Sequence, residues 1–414
     1  MKLFVEGFSC LESDIPKSPL KAKSFSSATL TVNDFNSINF WLVDISDLCL
    51  SYIIDVFDNV IKTSNNGSLQ YQASLAASLM RAYRHKKFDT IRVLAEPLRW
   101  LSSVMELIKH SRSPWEIVHR ALQLVLIVPD VCHVFPHQVF SFPSLGYFWP
   151  FGSNCSIKLN DLYLKIWSDH NTVFLRTLGQ NYKIGCDLLP QKNFEVAPRF
   201  ILENNGLEIV LPVQPYHRIW AHKFDSSNKV PLQDITTSVS ESMQILDEVW
   251  PECQELKIFA QRMICYVPRD NISHNSASSA EFPFVQFTNV VLGSEVVNLF
   301  SYIHEAMHSK LFVLMTTTPL HKHGNQRIFS HPWMDIPRPA DGVFLGAHAF
   351  INIMDLAYRI KEKIPVHREV ASDEFQRRKP EVNRALNELE KMDLTDEGKE
   401  FTQEMRKRYE EIVK

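Results

Sequence analysis

The chain has no Cys-x-x-Cys pair. Its seven cysteines, at positions 10, 49, 132, 155, 186, 253 and 265, stand singly and are odd in number, which argues against a disulfide framework and against a thiolate zinc knuckle. They read as reduced thiols filling small apolar spaces. No segment reaches the roughly 18 to 20 uninterrupted apolar residues of a bilayer-spanning helix. The opening Met1-Lys2-Leu3-Phe4-Val5-Glu6-Gly7 places an acid where a secretory signal would continue its apolar run, so the expected location is cytoplasmic, with no membrane partner. An excess of positive charge is also missing. Lys and Arg number 44 against 47 Asp and Glu, for a formal net charge of −3. A chain so balanced presents no basic field to neutralise phosphates, and nucleic acid is not expected as a partner. There is no internal repeat and no low-complexity tract.

What is present is apolar and aromatic material in quantity. Of 414 residues, 45% are apolar, with 27 Phe, 11 Tyr and 8 Trp, and 22% are charged. That is enough to build a large core and too little charge for a disordered chain. The patterning predicts a helix-dominated α+β fold with a β-rich middle section. Residues 1–67 read as an N-terminal extension, with a Pro- and Ser-containing leader and alternating segments such as Ala28 to Val32 that suit strands. Residues 68–368 read as a catalytic domain. Within it, helical spacing of Leu75, Leu79 and Tyr83 opens a helical layer to about Pro129, and short β-branched and aromatic runs fill the stretch from Val134 to Val213. Helical spacing returns from Ser238 to Trp250, where Pro251 stops it. Ser273 to Ser279 is polar and reads as loop, and Phe284 to Phe287 and Val290 to Leu292 as strand. Residues 369–414 read as charged helices broken at Leu394-Thr395, their charge a solvated face.

The chemistry concentrates between residues 295 and 361. His304-Glu305-Ala306-Met307-His308 lies in an apolar run from about Ser294 to Leu314 that has the length of one helix. Two imidazoles at i and i+4 share one helical face and can converge on a single ion. In so apolar a helix, unpaired imidazoles need buried partners, and a metal ion supplies them. A second apolar helix, from about Gly342 to Lys361, carries His348. Gly346 and Ala347 beside it are small enough to let this helix approach the first, which makes His348 the candidate third ligand, with Asp355 as the fallback carboxylate or as an acceptor that orients an imidazole. His321, His323 and His331 are irregularly spaced in the connecting loop and read as surface residues. Arg338, between Pro337 and Pro339, is a guanidinium in a stiffened loop, suited to bidentate capture of a carboxylate.

Several segments together resemble the bacterial His-Glu-x-x-His family associated with ribosomally made, modified peptides, whose members are iron(II)- and α-ketoglutarate-dependent peptide β-hydroxylases. They are His304-Glu305-x-x-His308, Pro332-Trp333-x-Asp335-x-Pro337-Arg338-Pro339, and Gly342-Val343-x-x-Gly346-Ala347-His348-Ala349-Phe350. Fainter echoes are Trp250-Pro251-Glu252, the Ser276 to Ser279 stretch and Leu394-Thr395-x-x-Gly398. Many members carry a histidine at the position of Leu345 and an aromatic at that of His348, so the third ligand is displaced by one helical turn here. The resemblance implies a zincin-like motif helix packed on a second ligand-bearing helix, with iron(II) on His304, His308 and His348, and α-ketoglutarate paired to Arg338. It also implies molecular oxygen and a precursor peptide as the other reactants. Glu305 would then support the site rather than act as an essential base. The competing expectation is a zinc metallopeptidase in which Glu305 activates water, since imidazole suits both metals. A non-catalytic peptide-binding protein is the remaining class.

Overall fold

The computed structural model describes residues 32–84, 113–122, 138–143, 231–253, 259–265, 276–278, 284–324 and 326–414, with a few positions between 101 and 108 and short strands between 147 and 268. Among these the fold is helix-dominated α+β, as the patterning predicts. The chain divides into two compact units, one built mainly from residues 42–199 and the other mainly from 222–414.

The first unit contains most of helix α1 (Val32–Thr63), with α2 (Gly67–Arg84) and α3 (Pro114–Leu122). The strand expected near Ala28 to Val32 is not found where it can be followed: Val32 opens α1, and 28–31 lie outside the described residues. Within α1, Ile53, Phe57 and Val60 recur on one buried face. Asn66 ends the turn between α1 and α2 by accepting the amides of Ser68 and Leu69 through its side chain, both at 3.1 Å. The β-rich section is present. Strands β1 (Phe140–Pro143), β2 (Tyr147–Phe148), β3 (Ile157–Lys158), β4 (Tyr163–Asp169), β5 (Thr172–Arg176) and β6 (Asn181–Ile184) include an antiparallel sheet of order β1-β4-β5-β6.

The second unit combines a sheet with a helical layer. Its strands are β7 (Arg199–Ile201), β8 (Glu208–Val210), β9 (Phe224–Asp225), β10 (Arg262–Cys265), β11 (Val267–Pro268), β12 (Ser276–Ala277) and β13 (Val285–Thr288). The main sheet runs β12-β13-β10-β8-β7. Strands β8, β10 and β13 are parallel, whereas β12 lies antiparallel on the edge, pairing Ser276 with Thr288 and Ala277 with Phe287. The Ser273 to Ser279 stretch therefore contains a strand rather than loop alone, since pairing to β13 supplies what its polar composition does not. Val290 to Leu292, expected as strand, is instead the turn after β13, where Gly293 adopts φ +70 before the next helix begins.

The helices of this unit are α4 (Leu232–Val249), α5 (Glu295–Thr317), α6 (Ala340–Lys363), α7 (Arg368–Leu389) and α8 (Asp396–Val413). Helix α5 packs on α4, α6 and the β12-β13 edge. Helix α6 is long and apolar enough to cross a membrane by length and composition, yet 83% of its apolar window is buried inside the fold. That burial is what a central core helix requires. The charged C-terminal helices are more than a solvated face: α7 and α8 both pack on α6, burying Phe375, Val382, Leu386, Phe401 and Met405. Thr395 caps α8 by accepting the Gly398 amide at 3.0 Å. The Pro-punctuated segment ahead of α6 is a hairpin of β14 (Phe329–His331) and β15 (Met334–Arg338), not a loop.

Candidate metal centre

The apolar period of α5 turns Leu299, Ile303, Ala306, Leu311 and Leu314 into the core and leaves the ridge of His304 and His308 partly accessible. The two imidazole centroids lie 4.2 Å apart. Among the described residues, His304, Glu305 and His308 form a group whose donor atoms all lie within 4.8 Å of one another. Nδ1 of His304 and Nε2 of His308 are buried and, among the described residues, have no hydrogen-bond partner. Buried polar nitrogens are rarely left so. Two imidazoles beside a carboxylate form a donor set that could hold a metal ion.

Glu305 is buried and held from the edge strand. Ser276 Oγ donates to its Oε1 at 2.7 Å and Ser278 Oγ to its Oε2 at 2.5 Å. The same Oε2 lies 3.6 Å from His308 Nδ1. Burial alone pushes the Glu305 carboxyl up, but His308 beside it, the charges of His304 and His308, and the Ser278 hydroxyl together hold it at about 2. It is a carboxylate at neutral pH. His304 moves the other way. Burial first, then the neighbouring His308 and Arg378 charges, lower it to about 3 against the opposing pull of Glu305, so its ring is neutral and its lone pair is available.

The wall opposite is aromatic and comes from α6 and the hairpin. Phe350 packs 4.8 Å from the His304 ring, and Trp333 packs 4.7 Å from Phe350. Trp333 fills the space above Gly346, where an added Cβ would sit 2.4 Å from its ring. The smallness of Gly346 therefore admits the hairpin tryptophan, and not the close helix approach expected of it. Arg378 of α7, which no sequence motif singled out, lies with its guanidinium 3.8 Å from the Phe350 ring centroid. It is braced by Glu374 at 2.7 Å and Glu381 at 2.8 Å.

The expected third ligand is not brought to this group. His348 is fully buried, its Nδ1 faces the Met307 carbonyl at 3.2 Å, and its ring packs 5.6 Å from Phe401 of α8. The reason is helical geometry. Residues two apart on a helix point about 200° from one another, so with Phe350 against the His304 ring, His348 meets the α5 backbone at Met307 and the Phe401 ring instead of the two imidazoles. Asp355 is elsewhere too, in ion pairs with Arg359 at 3.1 Å and with Arg408. Arg338 sits at the end of β15 with its stem against Gly342. Gly342 lies about 12 Å along the α6 axis from Phe350.

The loop histidines are not simply surface residues. His321 Nε2 bonds Asp341 at 2.7 Å, and its Nδ1 accepts the His323 amide at 3.2 Å. His323 Nε2 accepts the Asp393 amide at 2.9 Å. The side chain of His331 lies outside the described residues. The sequence signal that could have identified the serines is their spacing: Ser276 and Ser278, two apart, share one face of a strand, and that face looks at Glu305.

In comparison with known proteins, the chain matches no family model and no curated protein.

Proposed function

We propose that the chain is an iron(II)/α-ketoglutarate-dependent oxygenase that hydroxylates a β-carbon in a ribosomally made precursor peptide, acting in the cytoplasm. The observation that carries this reading is the pair of buried, unpartnered nitrogens on His304 and His308 beside an ionised Glu305. His304 and His308 would hold the ion. Iron with α-ketoglutarate would supply the oxidising equivalents, using molecular oxygen. Arg338 is the candidate to pair the co-substrate's far carboxylate as a planar two-point donor, on the strength of its place in the hairpin that flanks α6. Trp333 and Phe350 would keep water away from the ring of His304.

The rival, zinc peptidase, reading needs Glu305 as a base with an oxygen turned to a water. Both Glu305 oxygens accept serine hydroxyls, which favours a carboxylate fixed in place and kept charged over one that cycles protons. The test is incubation with candidate precursor peptides under two conditions. With iron(II), α-ketoglutarate and air, we expect α-ketoglutarate-dependent oxygen uptake and a peptide heavier by one oxygen atom. Peptide cleavage with zinc, and no oxygen uptake with iron, would overturn the proposal and establish the peptidase.

A further inference from the structure

We propose that Ser276 and Ser278 are positioning residues of the metal centre: they contribute no ligand, but through Glu305 they set how tightly His304 and His308 hold an ion. This deepens the proposed function and rests on its metal-centre reading.

The argument begins with local geometry. Strand β12 is only two residues long and sits on the open edge of the sheet, antiparallel to β13. On its own it has little reason to be held in one place. Its backbone pairing to Thr288 and Phe287 fixes its direction and register. The side chains of Ser276 and of Ser278, just past the strand end, both reach Glu305 of α5. Each hydroxyl then donates to a different oxygen of one carboxylate, at 2.7 and 2.5 Å. A carboxylate with a donor on each oxygen loses its freedom to rotate. The carboxylate so fixed lies 3.6 Å from His308 Nδ1 on its Oε2 side, while His308 Nε2 is the buried nitrogen without a partner.

The consequence is directional. A negative group held on the Nδ1 side of His308 favours the proton there and leaves the Nε2 lone pair for a cation, the carboxylate-histidine-metal arrangement in which the outer group fixes tautomer and ring orientation. Glu305 alone could do this only part of the time, because a free glutamate side chain has several rotamers. The serines remove that freedom, and the sheet edge removes theirs. Thus the sheet reaches the metal group through a chain of four links: β13 to β12, β12 to the two hydroxyls, the hydroxyls to Glu305, and Glu305 to His308.

The test uses the full chain and metal alone. Binding of cobalt(II) and iron(II) is measured by titration for the parent, for Ser276→Ala/Ser278→Ala, for Glu305→Gln, and for the triple variant, alongside the thermal midpoint of each metal-free protein. Loss of outer groups at metal sites typically weakens binding about 10- to 100-fold, and we expect a loss in that range for the serine double variant. The decisive arm is the comparison of backgrounds. If the serines act through Glu305, removing them in the Glu305→Gln protein costs little further affinity; an equal loss in both backgrounds overturns the positioning role. Unchanged affinity in the double variant overturns it as well. Should the double variant fail to fold, Ser278→Ala and Ser278→Thr replace it: a loss with alanine recovered by threonine, which restores the hydroxyl, supports the role, and alanine binding as the parent does overturns it. A parent that binds no metal overturns the metal-centre reading itself, whereas tight binding by the parent and by every serine variant overturns only this inference.

Discussion

Two histidine groups in the second unit invite comparison. His304 and His308 sit on one ridge of α5 with a buried nitrogen each that no hydrogen bond satisfies among the described residues. His321 and His323, only a short way along the chain, have three of their four ring nitrogens engaged: with Asp341, with the His323 amide and with the Asp393 amide. Around them, Thr395 donates its amide to Leu320 O at 3.2 Å and its hydroxyl to Pro319 O at 2.7 Å. The second group is a latch that ties the loop after α5 to the cap of α8. Both would attract a search for histidine clusters. What separates them is whether the protein itself completes each ring's hydrogen bonds, since a completed ring has no lone pair to spare.

The comparison breaks most sharply on metal. His304→Ala together with His308→Ala is expected to abolish metal binding, measured by metal content after reconstitution, while the latch is untouched; retained metal at full stoichiometry would transfer the site elsewhere. On the latch side the largest effect is at Gly398. A Cβ there would sit 1.8 Å from the Leu320 carbonyl oxygen, so Gly398→Ala must displace backbone. We expect a loss of about 3 kcal/mol in denaturant unfolding, with metal stoichiometry unchanged. His348 tests the assignment between the two. His348→Ala is expected to cost about 2 kcal/mol through the lost packing on Phe401 and the lost contact with Met307, and to leave metal affinity within the error of the titration. A large fall in affinity with stability intact would restore His348 as a ligand.

Acid should act on the metal group of the metal-free protein. Burial holds His304 at about 3 against an ordinary 6.5, so the unfolded chain takes up this proton first. Stability is therefore present above pH 6.5 and lost as pH falls from there toward 3. Glu305, held at about 2 against an ordinary 4.5, adds a further loss below pH 4.5 in the same direction. The thermal midpoint of metal-free protein should fall between pH 7 and 4, and the slope should flatten in His304→Ala. A midpoint independent of pH across that window would contradict the burial of His304. The smallest effect belongs to His321→Ala, about 1 kcal/mol for two hydrogen bonds of a partly exposed ring, with no change in metal binding.

How much of this was legible beforehand depends on the range of the information. The two-imidazole ridge was, because i and i+4 on one helix are neighbours whatever surrounds them. The extent of α5 and α6 was too, since the apolar period and the prolines at 337 and 339 mark it. The place of His348 is not legible in the sequence, because which side chain of α6 meets the imidazoles depends on the packing of Trp333, Phe350 and Phe401 together. Ser276 and Ser278 read as loop because two polar residues carry no strand signal without the β13 edge to pair with. Arg378 lay in a charged run whose face could not be assigned before α7 was seen packing on α6.

The sequence by itself determined that two imidazoles and a carboxylate would share one turn of a buried helix, because that follows from a rise and a rotation per residue. Tertiary structure alone decided what surrounds them: a serine-bearing sheet edge behind the carboxylate, an aromatic wall in front, and a histidine held between the Met307 carbonyl and the Phe401 ring. Those contacts join residues far apart in the chain, and only the packing of whole elements can bring them within a few ångströms.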